Sequence, residues 1–184
     1  MIHFIKYFTK VAIVVIALGI SVAANAQQAG YKAWGGNLLV GTGGDFVDFG
    51  LGGVFLYNAT DLIRLSGEID LLWGYNTKSN SLIRVTSQWR EFSVYGHYLV
   101  PAAKRNGLYV YPLVGIGIVN IGMKSTLKSS GVAVSASESK PVFTFGLGRT
   151  GAISDWLVAN YELRLKMVEG KFRYQAAVGV VYKF

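Results

Sequence analysis

The chain has no cysteine, and its 184 residues include only two histidines and three prolines. Without cysteine there is no disulfide framework, no lipid-attachment cysteine and no cysteine-based metal site. A long apolar run is also missing after residue 26, although 52% of the residues are hydrophobic. A helical membrane protein needs about 20 consecutive apolar residues for each span. That class is therefore excluded, and the apolar residues must recur at alternate positions.

The first 26 residues have the pattern of a secretory signal peptide. A basic start at Lys6 and Lys10 precedes an apolar run, which ends at the small-x-small cleavage site Ala24-Asn25-Ala26. The run is too short for a comfortable transmembrane helix. We expect residues 1–26 to be removed and residues 27–184 to form one domain.

The chain is basic, with a net charge of +8. Removal of Lys6 and Lys10 leaves 16 basic and 10 acidic residues, which is a net charge of +6. An exported basic chain meets anionic lipid head groups, so no nucleic-acid partner is expected.

Residues 172–184 alternate in character along the chain, as a β-strand does. One face carries Phe172, Tyr174, Ala176, Val178, Val180, Tyr182 and Phe184, and the other carries Arg173, Gln175, Ala177, Gly179, Val181 and Lys183. Small aliphatic side chains between aromatic ends fit a lipid-facing surface with interfacial girdles. The charged face would then look into a closed barrel.

Eight such strands are predicted after the signal peptide. They lie near residues 33–42, 46–57, 62–75, 82–100, 107–123, 141–153, 156–168 and 171–184. Periplasmic turns at 58–61, 101–107 and 154–155 would alternate with extracellular loops at 42–45, 76–81, 124–140 and 169–170. The predicted fold is all-β: an eight-stranded antiparallel up-and-down transmembrane β-barrel, preceded by a cleaved signal peptide.

Charged side chains within membrane-crossing strands should point into the barrel. The alternation of inward and outward positions along each strand therefore predicts a polar network in the lumen. Its members are Asp48, Arg64, Glu68, Asp70, Glu91, Glu162, Arg164, Lys166 and Arg173. An eight-stranded barrel is just wide enough for side chains to fill it, so these groups should form a plug of ion pairs. A gated path for small solutes or protons is the alternative.

Two aromatic belts are predicted from the same strand directions. The inner belt would contain Trp34, Phe55, Tyr57, Tyr98, Tyr109, Tyr111, Trp156, Tyr182 and Phe184, and the outer belt Phe49, Trp73, Tyr75, Trp89, Phe92, Phe143, Phe145, Phe172 and Tyr174. Not every one of these side chains need face lipid.

The fourth strand breaks the alternation, because Arg84 and Arg90 share the parity of the lipid-facing Phe92. Either a β-bulge near Trp89 resets the register, or residues 82–90 stand above the bilayer, where both faces are wet. The second interpretation is favoured because this strand, at about twenty residues, exceeds the length that the membrane requires.

Catalytic and cofactor motifs are weak. The run Gly146 to Gly151 matches GxGxxG, but no helix is expected after it, so neither a nucleotide nor another cofactor is predicted. One mature histidine, His97, cannot supply a usual zinc site. Outer-membrane lipid enzymes pair a histidine with a serine two residues later, whereas Leu99 occupies that position here. Ser93 is too far along the strand, roughly 13 Å away, and a partner on a neighbouring strand keeps a lipid-modifying enzyme as a minor alternative.

Residues 27–184 resemble the OmpA/OmpX-type family of small outer-membrane β-barrel domains, also called porin-like. The resemblance is carried by the glycine-rich strand Val47 to Phe55, the segment Pro112 to Gly117 and the terminal Tyr182-Lys183-Phe184. It implies a monomer in the outer membrane of a Gram-negative bacterium. In such barrels the terminal strand is read by the barrel-assembly machinery, which implies an assembly signal at Val180, Tyr182 and Phe184.

The resemblance also implies a non-enzymatic role in envelope structure or surface interaction, with a narrow pore or small-solute transporter as the alternative. Outer-membrane lipid and lipopolysaccharide are the expected partners. A basic rim on the extracellular loops is predicted at Lys78, Lys124, Lys128 and Lys140, for which ordinary solvation is the competing interpretation.

Overall fold

A computed structural model describes residues 29–44, 46–76, 83–102, 108–127, 129 and 131–184. The predicted signal peptide, Lys78 and Lys128 lie outside the described residues. The strands are β1 Lys32–Gly43, β2 Phe46–Asn58, β3 Ile63–Asn76, β4 Ile83–Tyr98, β5 Tyr109–Leu127, β6 Ala133–Ala152, β7 Leu157–Val168 and β8 Lys171–Lys183. A short bridge, Val100–Pro101, continues β4 and pairs with β5. In this part of the chain no helix is long and apolar enough to cross a membrane.

The strands close into one barrel in which every neighbouring pair is antiparallel. Consecutive strands pair with each other from β1 to β8, and β8 returns to pair with β1, from Ala33 opposite Lys183 to Thr42 opposite Tyr174. The predicted eight-stranded antiparallel up-and-down β-barrel is therefore confirmed.

Side chains alternate between the two faces of the wall as the sequence predicts. On β3, the inward positions Arg64, Glu68 and Asp70 are almost fully buried, whereas the outward Ile69 is 58% exposed. The exposed aliphatic face is continuous around the barrel, and a lipid bilayer is the solvent in which such a face is favourable. The inward face supplies the core.

The β7–β8 connection is a two-residue hairpin turn. Val168 and Lys171 are paired across it, and Glu169 and Gly170 both have positive φ, at 50° and 73°. Positive φ at both central positions matches a type I′ turn, whose twist suits two antiparallel strands. This turn ends the barrel wall abruptly on the β7–β8 side.

The predicted loop at 124–140 is mostly strand, so that boundary was wrong. β5 runs to Leu127, β6 begins at Ala133, and they remain paired up to Thr126 opposite Ala133. Residues 133–139 are all exposed. Because neither face of this hairpin is buried, it carries no apolar alternation, which is the signal that sequence reasoning uses.

The register of β4 near Trp89 contains no bulge. The pairing with β3 is continuous from Ile63–Tyr98 to Tyr75–Thr86, and the pairing with β5 is continuous from Ile83 to His97. Of the two interpretations of this strand, the bulge is wrong. Arg84 and Arg90 therefore do share the outward face with Phe92.

Three residues assigned to the aromatic belts lie on the lumen side instead. Trp89 is 3% exposed and Tyr111 is fully buried, and the polar atoms of both bond to lumen carboxylates. Tyr109 has the same inward parity as Tyr111 and packs, partly buried, against the cluster that contains it. Belt membership for these three residues was wrong, because an aromatic side chain near a strand end fits either face.

Two apolar clusters in the lumen lie on either side of the central charged residues along the barrel axis. Toward the end that the sequence predicts to be periplasmic, one cluster consists of Tyr31, Ala33, Val54, Leu56, Ala152, Val158 and Val181. Toward the end predicted to be extracellular, the other consists of Leu39, Leu72, Trp89, Val119, Val142, Val168 and Ala177, and the two ends keep these names below. Leu72 and Val168 directly follow the inward positions of Asp70 and Lys166, so this second cluster covers the charged layer.

Candidate functional site in the barrel lumen

The nine residues predicted for the polar network all have inward positions. Asp48, Arg64, Glu68, Asp70, Glu91, Glu162, Arg164 and Lys166 are buried. Arg173 is more open, with 18% of its side chain exposed. The structure brings these residues into a central cluster, an upper pair and a lower group.

Arg164 is the centre of the cluster. Its guanidinium donates to both carboxylate oxygens of Glu68, at 2.9 and 2.8 Å, and its Nε donates to Glu162 Oε2 at 2.7 Å. Asp70 Oδ2 lies 3.6 Å from Nη1, and the Tyr95 ring lies 4.9 Å from the guanidinium carbon. A planar guanidinium suits such multiple contacts, because it presents donors along several edges. Arg164 thus holds three carboxyl groups from β3 and β7 together.

Lys166 extends the cluster to β4. Its Nζ lies 2.7 Å from Glu91 Oε2 and 3.4 Å from Asp70 Oδ2. Glu91 also accepts hydrogen bonds from Trp89 Nε1, Ser93 Oγ and Tyr95 Oη. A buried carboxylate needs such partners to offset the loss of hydration. Four carboxyl groups therefore surround two cations in the middle of the lumen.

Asp48 and Arg173 form an upper pair at the extracellular end. Arg173 Nη2 donates to Asp48 Oδ2, and the Arg173 guanidinium carbon lies 4.1 Å from the Trp89 ring centroid. Ser87 Oγ adds a long contact of 3.4 Å to Asp48. This pair occupies the mouth of the lumen above the extracellular apolar cluster.

Arg64, His97, Ser66 and Tyr111 form the lower group. Arg64 Nε donates to His97 Nδ1 at 2.9 Å, and His97 Nε2 lies 3.2 Å from Ser66 Oγ. Tyr111 stacks on His97 at 4.9 Å, and its hydroxyl donates to Glu162 Oε1 at 2.7 Å, which links this group to the central cluster. Arginine only donates, so His97 Nδ1 must be the acceptor, and a neutral imidazole then carries its proton on Nε2. His97 therefore donates to Ser66 and cannot accept the serine proton.

Glycine makes room for several of these side chains. Tyr111, Tyr95, Ser93, Asp70 and Asp48 each lie directly opposite a glycine on the neighbouring strand. A Cβ at Gly148 would lie 2.2 Å from the Tyr111 ring, and a Cβ at Gly52 would lie 2.4 Å from Asp70 Oδ1. The inward glycines are thus a steric requirement of the filled lumen.

Sequence parity identified the charged residues and placed Ser66 and Tyr95 on the lumen face, but it predicted none of the hydrogen bonds to neutral partners. Ser66, Trp89, Tyr95 and Tyr111 complete the bonding of the charged groups. All four have inward parity, and each large one faces a glycine or an apolar layer. An inward aromatic opposite a glycine is the signal that would have found Tyr95 and Tyr111.

The other predicted sites are placed as follows. Lys124 lies in β5 and Lys140 in β6, on paired strands rather than in an irregular loop, and the basic rim itself stays a prediction. Lys140 is also engaged with Glu138 and Glu169, which leaves it less available as a free cation. Val180, Tyr182 and Phe184 all face outward, and the Phe184 side chain is 64% exposed.

An open concavity of about 540 Å³ lies at the extracellular end of β3 to β6. Its lining is mainly aromatic, hydroxyl and amide in character, and none of it belongs to the charged cluster: Trp73, Gly74, Tyr75, Thr86, Ser87, Gln88, Gly122, Met123, Lys124, Ser135, Ala136 and Ser137. In the described part of the chain, no three His, Asp or Glu side chains are placed to hold a metal ion.

A closed up-and-down barrel of eight antiparallel strands, with an aliphatic outside and a charged inside, defines the class of small transmembrane β-barrels. Solved structures of small outer-membrane proteins share this fold, as the sequence resemblance implied. No family model and no curated protein matches the chain.

Three solved structures illustrate the similarity. Ail, the attachment invasion locus protein of Yersinia pestis, in complex with the heparin analogue sucrose octasulfate, is 13% identical, with a TM-score of 0.57, and the match covers 84% of this chain and 97% of Ail. Neisserial surface protein A is 14% identical, with a TM-score of 0.55 and coverages of 89% and 100%. The N-terminal β-barrel domain of Pseudomonas aeruginosa OprF is 16% identical, with a TM-score of 0.53 and coverages of 86% and 100%. At these identities the likeness concerns the fold.

Proposed function

We propose that the chain is a non-enzymatic integral protein of the Gram-negative outer membrane, with a plugged lumen, that serves in envelope structure or surface interaction through its extracellular end. Export by a cleaved signal peptide at residues 1–26 and assembly through Val180, Tyr182 and Phe184 by the barrel-assembly machinery belong to this proposal. The protein acts as a monomer, without a cofactor, and its surface partners are outer-membrane lipid and lipopolysaccharide.

The support for a plugged lumen is the burial of the charged cluster, which is covered by an apolar layer toward the extracellular end and is bounded toward the other end by an apolar cluster together with the buried Arg64, His97 and Tyr111. The side chains of Arg164 and Lys166 are 0% and 2% exposed. Ions crossing the barrel would have to displace Leu72, Trp89 and Val168 on one side and Leu56 and Val158 on the other. A constriction lined by apolar side chains opposes conduction.

Surface interaction is the role left to a barrel with a closed interior, since its extended β5–β6 hairpin and its outer wall are its accessible parts. Ail, a barrel of the same fold, binds a sulfated sugar analogue. We infer that the partner here is likewise anionic, because the cations Arg84, Arg90 and Lys124 all lie on the outward face toward the extracellular end, with Arg84 and Lys124 as diagonal neighbours.

Conductance and ligand binding test this proposal together. Purified protein in a planar bilayer should give current close to that of the protein-free membrane. A screen against outer-membrane lipids and surface glycans should return at least one specific ligand. Stable, ion-selective channels in the absence of any ligand would overturn the plugged-lumen assignment.

A narrow pore is the second candidate, and a specific observation favours it. Among the described residues, the buried atoms Asp70 Oδ1, Thr144 Oγ1, Thr150 Oγ1 and Gln175 Oε1 have no hydrogen-bond partner. Buried polar atoms of this kind bond to internal water. A transient chain of such waters past Trp89 would carry protons or small ions.

A lipid-modifying enzyme is the weakest candidate. Ser66 and His97 approach each other across β3 and β4, but the donor direction set by Arg64 is opposite to that of a serine nucleophile with its general base. Both side chains are also at most 2% exposed. A substrate carbonyl has no access to Ser66.

A further inference from the structure

The periplasmic end of the lumen carries positive charge without a counter-charge. Arg64 is fully buried there, and Lys183 lies at the same end, with its Nζ 5.5 Å from the centroid of the Tyr31 ring. On the periplasmic side of Glu162, no acidic side chain of the described strands points inward. Glu162 itself is already bonded to Arg164. The cations at this end therefore lack an anionic partner within the described chain.

Arg64 is held on one edge and one face of its guanidinium. Its Nε donates to His97 Nδ1 at 2.9 Å, and its guanidinium carbon lies 4.4 Å from the centroid of the Tyr111 ring. The other edge, formed by Nη1 and Nη2, is free: within the described residues, neither nitrogen has a hydrogen-bond partner. These two nitrogens form a fork of parallel N–H groups, which is the geometry that binds an anion.

A buried fork without partners is costly for the folded state. Burying a charged group without compensating bonds costs far more free energy than burying a neutral one, and most buried groups escape this cost by losing their charge. Arginine cannot do so, because the guanidinium stays protonated in proteins. A ligand from outside the chain must therefore satisfy Nη1 and Nη2 of Arg64.

The strand register brings further unpartnered groups to this end of the lumen. Following the paired residues around the wall from Arg64 leads back to β3 at Gly74, so the register advances by ten residues over the eight strands. With that advance shared equally among the strands, Thr150 on β6 and Asn160 on β7 lie within about one residue of the level of Arg64. Tyr31 belongs to the periplasmic apolar cluster. Tyr31 Oη, Thr150 Oγ1 and Asn160 Oδ1 are all buried, and none of them has a hydrogen-bond partner among the described residues.

Donors outnumber acceptors among these unpartnered groups. The N–H groups of Arg64 Nη1 and Nη2 only donate, and the hydroxyls of Tyr31 and Thr150 can each donate as well. Asn160 Oδ1 is the one atom of this set that only accepts. A water molecule brings donors of its own, so water leaves the excess of donors unchanged. An anion only accepts, and it also balances the charge of Arg64, so the chemistry of this set favours an anion over water.

We propose that the periplasmic end of the lumen binds a monovalent anion of the size of chloride, held by the fork of Arg64 Nη1 and Nη2. The hydroxyls of Tyr31 and Thr150 are the further donors. A small ion is required because Arg64 is fully buried and the neighbouring Leu56 and Val158 are apolar. The bound ion supplies the counter-charge that the chain lacks at this end, and it couples the stability of the barrel to the halide concentration.

The chloride dependence of folding tests the proposal on the purified protein in micelles of a non-ionic detergent. Sodium chloride is exchanged for sodium gluconate at constant ionic strength, because gluconate is too large for an enclosed site. If one ion binds the folded state alone, the folding equilibrium constant rises about tenfold for each tenfold rise in chloride above the dissociation constant. The variant R64M should lose this dependence, and Y31F should reach it only at higher chloride concentrations. The control K171Q, which removes an exposed lysine of β8, should respond to chloride as the wild type does.

Bromide locates the ion in the wild type, so the test does not depend on the folding of R64M. Protein refolded and crystallised in sodium bromide should give an anomalous-scattering peak beside Nη1 and Nη2 of Arg64. The absence of a peak at this position would overturn the proposal, and so would equal stability of the wild type in chloride and gluconate. A chloride dependence of R64M equal to that of the wild type would also overturn it, because the ion would then bind elsewhere.

Discussion

Tyr111 on β5 lies directly opposite Gly148 on β6, and a Cβ added to Gly148 would come within 2.2 Å of the Tyr111 ring. The same tyrosine donates to Glu162 and stacks on His97, so it joins the lower group to the central cluster. The space that Gly148 leaves thus allows Tyr111 to connect the two polar groups of the lumen.

Gly148→Ala should destabilise the barrel, because the Tyr111 ring has to move away from Glu162. Overpacking of this kind costs about 1–3 kcal/mol. Urea titration monitored by tryptophan fluorescence gives the unfolding midpoint. Gly67→Ala and Gly96→Ala are matched controls, since a Cβ at either outward position meets nothing within 4 Å. Equal midpoints for Gly148→Ala and the two controls would contradict this account.

The tautomer of His97 is a second prediction. Because Arg64 donates to Nδ1, the imidazole proton should reside on Nε2, and Arg64→Met should release this preference. The nitrogen-15 chemical shifts of labelled histidine distinguish the two tautomers. The variant His97→Gln assigns the signal against that of His3 where the latter is present. A protonated Nδ1 in the wild type would mean that Ser66 faces a free base, and the enzyme candidate would then gain support.

Much of the fold could be predicted from the sequence because the membrane enforces alternation. Every second residue of β3, β7 and β8 faces lipid and must be apolar. The charged residues at the alternate positions, from Arg64 to Lys166, could therefore be assigned to the lumen from the alternation alone. The same rule failed for the hairpin at 124–140, where water covers both faces and no alternation is required.

The contacts within the lumen could not be predicted, because they depend on strand register and on which strands face each other. Glu68 and Arg164 are 96 residues apart in the chain and meet across the barrel. Ser66 reaches His97 because β3 and β4 pair in one particular register. The position of a residue in the alternation tells which face of the wall its side chain occupies. Which inward side chains meet one another depends on how the strands close into the barrel.

Deletion of Phe184 should affect assembly in cells much more than refolding in detergent. The side chain is 64% exposed, and its backbone contributes one hydrogen bond, to Lys32 at 3.2 Å, so its packing role is small. The amount of heat-modifiable barrel in the outer-membrane fraction reports assembly, and the yield of folded protein in micelles reports refolding. Phe145→Ala, which removes another exposed aromatic, is the control. Parallel losses in both assays would leave Phe184 with a packing role alone.

The final prediction separates a plugged lumen from a pore by ranking two substitutions on β7. Arg164→Met leaves Glu68, Asp70 and Glu162 without their shared cation, and an uncompensated buried charge costs about 3–5 kcal/mol. Glu162→Gln should cost less, because Arg164 retains Glu68 and Asp70. Outward Leu163→Met, at the position between them, should change little.

Stability and conductance are measured on the same preparations. In a plugged lumen, Arg164→Met lowers the unfolding midpoint strongly, Glu162→Gln lowers it moderately, and both leave the current near baseline, since the apolar layers around Leu72 and Val158 still close the path. A water-filled channel gives the opposite pattern, because solvent stabilises the orphaned charges while the ion selectivity changes. A stable Glu162→Gln variant with altered ion selectivity would contradict the proposed envelope role and would favour a transport protein.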